Sequence, residues 1–145
     1  MCIRDRRKAY LLLSVQTESA VVQGSRGLLT ELCQNLCDNA IRYNRPGGKV
    51  EVTVSNVPGG VELCVKDNGI GIAPEHQQRV FERFYRVDKS RSKATGGTGL
   101  GLAIVKHIAI LHNAKIDLES EAGKGTCITA VSYTHLSAMN CMRQA

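Results

Sequence analysis

With 145 residues, 43% of them hydrophobic, the chain is long enough for one globular domain whose core needs no metal or disulfide staple. A formal charge of +6, from 19 Lys and Arg against 13 Asp and Glu, suits an anionic ligand. It argues little for nucleic acid, since no predicted helix clusters Lys and Arg and aromatic residues for base stacking make up only 4%. Cys2, Cys33, Cys37, Cys64, Cys127 and Cys141 show neither CxxC pairs nor a companion histidine pattern, which excludes a zinc site and leaves buried, reduced thiols as the expectation. The apolar run from Ala9 to Val15 is far short of the roughly 20 residues that cross a bilayer, and no signal-peptide pattern precedes it. The piece is therefore expected to be soluble and cytoplasmic, with any membrane anchor in other parts of a parent protein.

The first predicted element is a helix from about Leu28 to Tyr43, where Leu29, Leu32, Leu36 and Ala40 recur at three- and four-residue intervals. At about 100° per residue, Glu31, Asn35, Asn39 and Arg42 fall within an arc of about 80° beside that stripe. One helix would thus carry a row of polar side chains along the edge of the core. Pro46-Gly47-Gly48 ends it. Val50, Val52 and Val54 then alternate with polar residues, as do Val61, Leu63 and Val65 beyond Pro58-Gly59-Gly60, which predicts an antiparallel hairpin. Ala73-Pro74-Glu75 reads as a helix start with proline at the first helical position, carrying a short helix into Arg83. Leu102 to Leu111 is the next helix, and Asn113 stands where a left-handed cap would close it. Ile116 and Leu118, then Cys127 to Val131, predict two closing strands around Gly123-Lys124-Gly125. Hairpin connections with helices between them indicate an α+β fold, a two-layer sandwich with a mixed, mostly antiparallel sheet and about three helices on one face.

Four motifs lie on this scaffold in one order: Asn35-Leu36-Cys37-Asp38-Asn39-Ala40, Asp67-Asn68-Gly69-Ile70-Gly71-Ile72, Phe81-Glu82-Arg83-Phe84-Tyr85-Arg86, and Gly97-Thr98-Gly99-Leu100-Gly101-Leu102. Each alone is weak, because short glycine and asparagine patterns recur by chance; four in sequence constrain one another. The glycine run is neither GxxxxGK followed by Ser or Thr nor a GxGxxG after a strand. A nucleotide site built on it belongs to another architecture.

The stretch from residue 9 to 131 resembles the catalytic and ATP-binding domain of sensor histidine kinases. These belong to the Bergerat-fold ATPases, with gyrase-type and chaperone-type relatives. The four motifs match that family's N, G1, F and G2 boxes, and the Phe81 to Asp88 stretch is the most specific, since other branches lack it. Residues 1–8 and 132–145 match no part of the pattern and are expected to be exposed and poorly ordered.

The resemblance implies roles. Asn35 would ligate Mg²⁺ through its carbonyl oxygen, a hard neutral donor. Asn39 would reach phosphate or the metal's water shell, and Arg42, where the family usually has lysine, would pair with phosphate beside Tyr43. Asp67 would accept a hydrogen bond from the exocyclic amino group of adenine, where guanine offers a carbonyl. Gly69 and Gly71 would let the backbone approach the base, with Ile72 in the same set and Thr126 reaching the base through water. Taken without the resemblance, Asp-Asn-Gly is an ordinary turn and the helix row an ordinary solvated face.

Gly97, Thr98, Gly99, Leu100 and Gly101 would turn backbone amides toward phosphate at a helix start. Asp88 to Gly96, with Lys89, Arg91 and Lys93, resembles the family's mobile lid. Arg86 would steady the γ-phosphate during transfer. Phe81 and Phe84 are expected to pack, and Glu31 to support.

The family's reaction delivers the γ-phosphoryl to a histidine followed by an acidic residue and, a few positions on, a proline. His76, His107, His112 and His135 lack that context. The chain is therefore expected to bind ATP without phosphorylating itself. It would need a separate dimerisation and histidine-phosphotransfer domain, and then a response regulator. A serine kinase of the anti-sigma type on the same fold, and a non-catalytic nucleotide-binding fragment, are the alternatives; the F box argues against the first.

Overall fold

The computed structural model describes residues 10–15, 20–86 and 100–133. Five strands form one sheet: β1 (Tyr10–Val15), β2 (Lys49–Val57), β3 (Gly60–Asp67), β4 (Ala114–Glu121) and β5 (Gly125–Tyr133), in the order β1-β2-β3-β5-β4. The β1–β2 pair is parallel and the other three are antiparallel. The helices are α1 (Arg26–Arg42), α2 (Pro74–Gln77) and α3 (Gly101–Leu111). The α+β two-layer expectation, with a mixed sheet, holds.

Strand register decides which residues face the helices. Val52 lies opposite Val65 and Val65 opposite Ile128, so these three share one face. Against it α1 sets Leu32, Leu36, Ala40 and Ile41, and α3 sets Val105 and Ile108. Burying a side chain such as Leu36 or Ile108 contributes about 1.5–3 kcal/mol relative to leaving it exposed. The three- and four-residue spacing along α1 is what allows Leu32, Leu36 and Ala40 to enter one core together. Ser25 caps α1, its Oγ accepting from the Leu28 amide at 3.4 Å, and Asn113 takes the expected left-handed conformation after α3, at φ 53°.

His112, at the end of α3, joins the two long helices. Its Nδ1–H donates to the Ile108 carbonyl at 2.8 Å, while its Nε2 accepts from the Ser25 amide at 3.0 Å. Gly24 is pressed against the same ring, since a Cβ there would stand 2.2 Å from His112 Cδ2.

Three expectations need correction, and one strand was not read from the sequence. β1 falls on the Ala9 to Val15 run, whose only sequence signal was its apolarity; the strand becomes visible through its parallel pairing with β2. The helix that begins at Pro74 stops at Gln77 rather than reaching Arg83. No residue of α2 is buried, so nothing rewards its extension, and the chain continues through tight turns closed by Arg79 N–H to His76 O and Glu82 N–H to Arg79 O, both 2.9 Å. β5 runs two residues beyond Val131, because Ser132 and Tyr133 pair with Val61 and Gly60. The thiols are less buried than expected: Cys33 is exposed, and Cys37, Cys64 and Cys127 are half-buried and unbridged. Cys2, Cys141, His135 and the terminal segments 1–8 and 134–145 lie outside the described residues, as does the lid stretch, Asp88 to Gly96.

Candidate functional site

The candidate residues lie on the second half of α1, at the end of β3 with the loop after it, and at the start of α3. Asp67 is the last residue of β3, paired with Val50 on one side and Thr126 on the other, so its side chain lies on the helix-facing side of the sheet. Its Oδ1 accepts from the Gly69 amide at 2.9 Å, closing an Asx turn. The turn reading of Asp-Asn-Gly holds: one carboxylate oxygen organises the loop. Burial pushes the Asp67 carboxyl above the ordinary carboxylate range, against the opposing effect of the Gly69 and Thr126 amides. A half-buried carboxylate held at that charge cost attracts an N–H donor.

The loop after Asp67 is clamped to α1. The Ile70 amide donates to the Tyr43 carbonyl at 3.2 Å. A Cβ on Gly69 would stand 2.5 Å from that same oxygen and 2.9 Å from Asn44 Cα, so only glycine lets the loop approach the helix end this closely. Gly71 has φ 68°, and a Cβ there would meet the Glu121 carbonyl at 2.0 Å. Asn44, buried at the end of α1, donates from Nδ2 to Lys49 O at 3.1 Å, and Asn68 Oδ1 accepts from Lys49 N at 2.7 Å.

Two residues that the sequence did not single out complete the frame. Ser120 Oγ accepts from the Ile72 amide at 2.8 Å, donates to the Gly125 carbonyl at 3.0 Å and meets Thr126 Oγ1 at 2.8 Å. With the Ser120 proton committed to Gly125, the Thr126 hydroxyl donates to Ser120 and keeps its own lone pairs as acceptors. Gln77 Nε2 donates to Ile72 O and Ser120 O, both at 2.9 Å, which ties α2 to the same loop. A signal for Ser120 exists: it holds the inward phase of β4, after Ile116 and Leu118, where an apolar residue is the default.

On α1, Asn35, Asn39 and Arg42 are half-buried along the predicted row, and Glu31 is exposed one turn earlier. Asn35 Nδ2 is buried without any hydrogen-bond partner, an unmet group of the kind that costs about 1–3 kcal/mol. A Cβ placed on Gly101 would lie 4.0 Å from Asn35 Oδ1, so the N-box side chain faces the first residue of α3. No side chain caps α3, and its first turn holds no acidic residue. An uncapped, acid-free helix start across from an unsatisfied amide is suited to an anion and its counter-ion. Leu100 and Gly101 stand at that start; Gly97, Thr98 and Gly99 lie outside the described residues.

The F box folds back on α2. His76 Nδ1 is hydrogen-bonded to the Tyr85 hydroxyl, and the Arg79 guanidinium lies 4.4 Å from the Tyr85 ring centroid. Phe84 departs from expectation: it is 71% exposed at φ 64°, because the left-handed turn that brings Tyr85 to His76 leaves Phe84 outward. Phe81 is half-buried, and Arg86, also half-buried, follows Tyr85 directly.

The arrangement is matched by known proteins. The family model described as "Histidine kinase-, DNA gyrase B-, and HSP90-like ATPase" covers residues 24–134. The chain belongs to this family. The sensor-like histidine kinase SenX3 of Mycolicibacterium smegmatis is 50% identical over 120 residues, which span 81% of this chain and 31% of SenX3. The mycobacterial sensor histidine kinase MprB superposes with a TM-score of 0.71 at 33% identity, covering 84% of this chain and 80% of that one. Full-length ShkA, solved in complex with AMPPNP, superposes with a TM-score of 0.71 at 28% identity, over 84% of this chain and 25% of its own. Within the family the chain is thus the catalytic ATP-binding domain of a sensor histidine kinase, spanning about a third of the curated relative's length. No helix among the described residues is long and apolar enough to cross a membrane.

Proposed function

We propose that this domain binds Mg²⁺-ATP between α1 and the Asp67 to Ile72 loop and donates the γ-phosphoryl to a histidine on a helical dimerisation domain. A response-regulator aspartate then receives it. Two observations support this reading: the half-buried Asp67 carboxylate, held at the end of β3 by the Gly69 amide, and the partnerless Asn35 Nδ2 on the side of α1 that faces Gly101.

Each residue has a role its chemistry supports. The remaining Asp67 oxygen accepts from the adenine amino group, and Thr126 Oγ1, oriented by Ser120, accepts from a water or base donor beside it. Gly69, Gly71 and Ile72 line the base side. The start of α3, with Gly97, Thr98, Gly99, Leu100 and Gly101, receives phosphate oxygens. Asn39 and Arg42, successive on the row after Asn35, hold the phosphate side, with Tyr43 toward the nucleoside and Glu31 as a supporting group. Arg86 steadies the transferring group.

The Asn35 side chain fits a magnesium site through Oδ1, a hard neutral donor facing Gly101, while its partnerless Nδ2 would donate to a phosphate oxygen or water beside the ion. The ion, when bound, neutralises phosphate charge. The protein's own contribution is to fix base, sugar and phosphates against rigid backbone.

The functional unit extends at least through Tyr133, the last residue of β5, and is placed on the cytoplasmic side where ATP is available. Calorimetric titration with Mg²⁺-ATP tests binding, and mixing with a relative's phosphorylatable helical domain tests transfer to histidine. Acid-labile phosphate on that domain is the expected result. Acid-stable phosphoserine would instead establish the anti-sigma-type reading, and absence of nucleotide binding at millimolar ATP would end both.

A further inference from the structure

We propose that Cys64 and Cys127 form a redox modification site: a thiol pair on the face of the sheet turned away from the helices, poised to close into a reversible disulfide between β3 and β5. The two sulfurs are 3.1 Å apart, already inside van der Waals contact. Register explains the approach. Cys64 pairs with Thr129 and Cys127 with Lys66, so the cysteines are diagonal neighbours across an antiparallel ladder. Because Val65 and Ile128 between them face the core, both thiols are on the opposite side, half-buried yet reachable from solvent.

Burial first, then the hydrogen bond and charge of Cys127, push the Cys64 thiol up to about 11. Either sulfur can react first, and the chemistry is the same. With Cys127 leading, its thiolate attacks one oxygen of a peroxide, the O–O bond breaks, and Cys127 sulfenic acid and hydroxide result; the hydroxide takes up the thiol's proton as water. Cys64 sulfur then attacks Cys127 sulfur. The S–O bond breaks, the Cys64 proton leaves with the departing hydroxide as water, and the S–S bond forms. In sum, two thiols and one hydrogen peroxide give one disulfide and two waters.

Closure needs the sulfurs to move from 3.1 Å to about 2.05 Å, and a small dithiol reopens the bond by exchange. The strands it would link carry Asp67, three residues from Cys64, and Thr126, one residue from Cys127.

The test uses the full chain. Hydrogen peroxide is added, free thiols are alkylated, and the protein is digested without reductant. Trypsin isolates Cys64 between Lys49 and Lys66, and chymotrypsin, cutting after Tyr133, separates Cys127 from Cys141. The expected product is a Cys64–Cys127 linked peptide lacking two hydrogens, present in most chains and removed by dithiothreitol. A Cys37→Ser variant should give the same product, and Cys127→Ser should lose it. Full alkylation of both cysteines after peroxide would overturn the proposal. So would peroxide products consisting of sulfinic acid on Cys127 with no link to Cys64. Both outcomes are read on the unmodified sequence, so the test does not depend on the variants folding.

Discussion

Replacing Asp67 with asparagine should separate folding from binding. The oxygen of the substituted side chain can still accept from the Gly69 amide, so the turn survives. What changes is the other limb, which becomes an N–H donor directed where adenine presents its own N–H donor. A hydrogen bond to a charged acceptor contributes about 1.5–3 kcal/mol. A donor set against a donor places the loss in the upper part of that range, about 2–3 kcal/mol, or roughly 30- to 150-fold in Kd. The fold should not suffer. Burial raises the Asp67 pKa, and a carboxyl whose folded pKa is raised contributes stability that is fully present below the unfolded value and lost as pH rises through the folded one. At neutral pH the ionised group is therefore a stability cost, which the amide relieves. Isothermal calorimetry with Mg²⁺-ATP should show the weakened Kd, while thermal unfolding shows a midpoint equal to or above that of the parent. GTP, whose base has a carbonyl at that position, should lose less affinity than ATP or gain some. An unchanged ATP affinity with an intact fold would refute the role of Asp67.

Other consequences can be checked separately. ATP affinity of the parent should fall on acidification at a pH above that at which an ordinary aspartate, pKa about 3.9, protonates, and calorimetry across pH should find this limb missing in D67N. Asn35→Ala should remove most of the difference between ATP affinities measured with Mg²⁺ and with a chelator, at least about tenfold. Ser120→Ala strands the Ile72 amide, the Gly125 carbonyl and the Thr126 hydroxyl together; urea unfolding should register a loss of about 2–3 kcal/mol. Gly71→Ala should destabilise more than Gly123→Ala in the same assay, although both positions have positive φ. A Cβ at Gly123 meets nothing within 4 Å and costs only the left-handed strain, about 1–2 kcal/mol, whereas one at Gly71 would sit 2.0 Å from the Glu121 carbonyl.

Patterned residues made most of the fold legible. The spacing of Leu32, Leu36 and Ala40 placed α1, and the alternation of Val50, Val52 and Val54 against Val61, Leu63 and Val65 placed the central hairpin; both patterns are imposed by one-sided burial. β1 was not legible, because Tyr10–Val15 is a short apolar run whose state is fixed by a partner far along the chain. The truncation of α2 was hidden for a related reason: proline marks where a helix can start, while its length is set by what it covers. At the site, Asp67, Gly69, Gly71 and Asn35 announced themselves through motif chemistry. Ser120 and Gln77 did not, since their importance arises from three-dimensional convergence on Ile72 and Gly125. Phe84 misled because an aromatic residue suggests a core, whereas its backbone turn serves the contact of its neighbour, Tyr85.

The hydrogen bond from Ile70 to Tyr43, with Gly69 seated against Asn44, gives the cleft the character of a calliper with locked jaws. In the binding mode proposed above, the base side and the phosphate side would be held apart by peptide geometry. Altered base preference would then be attainable by exchanging a side chain on one jaw without shifting the other.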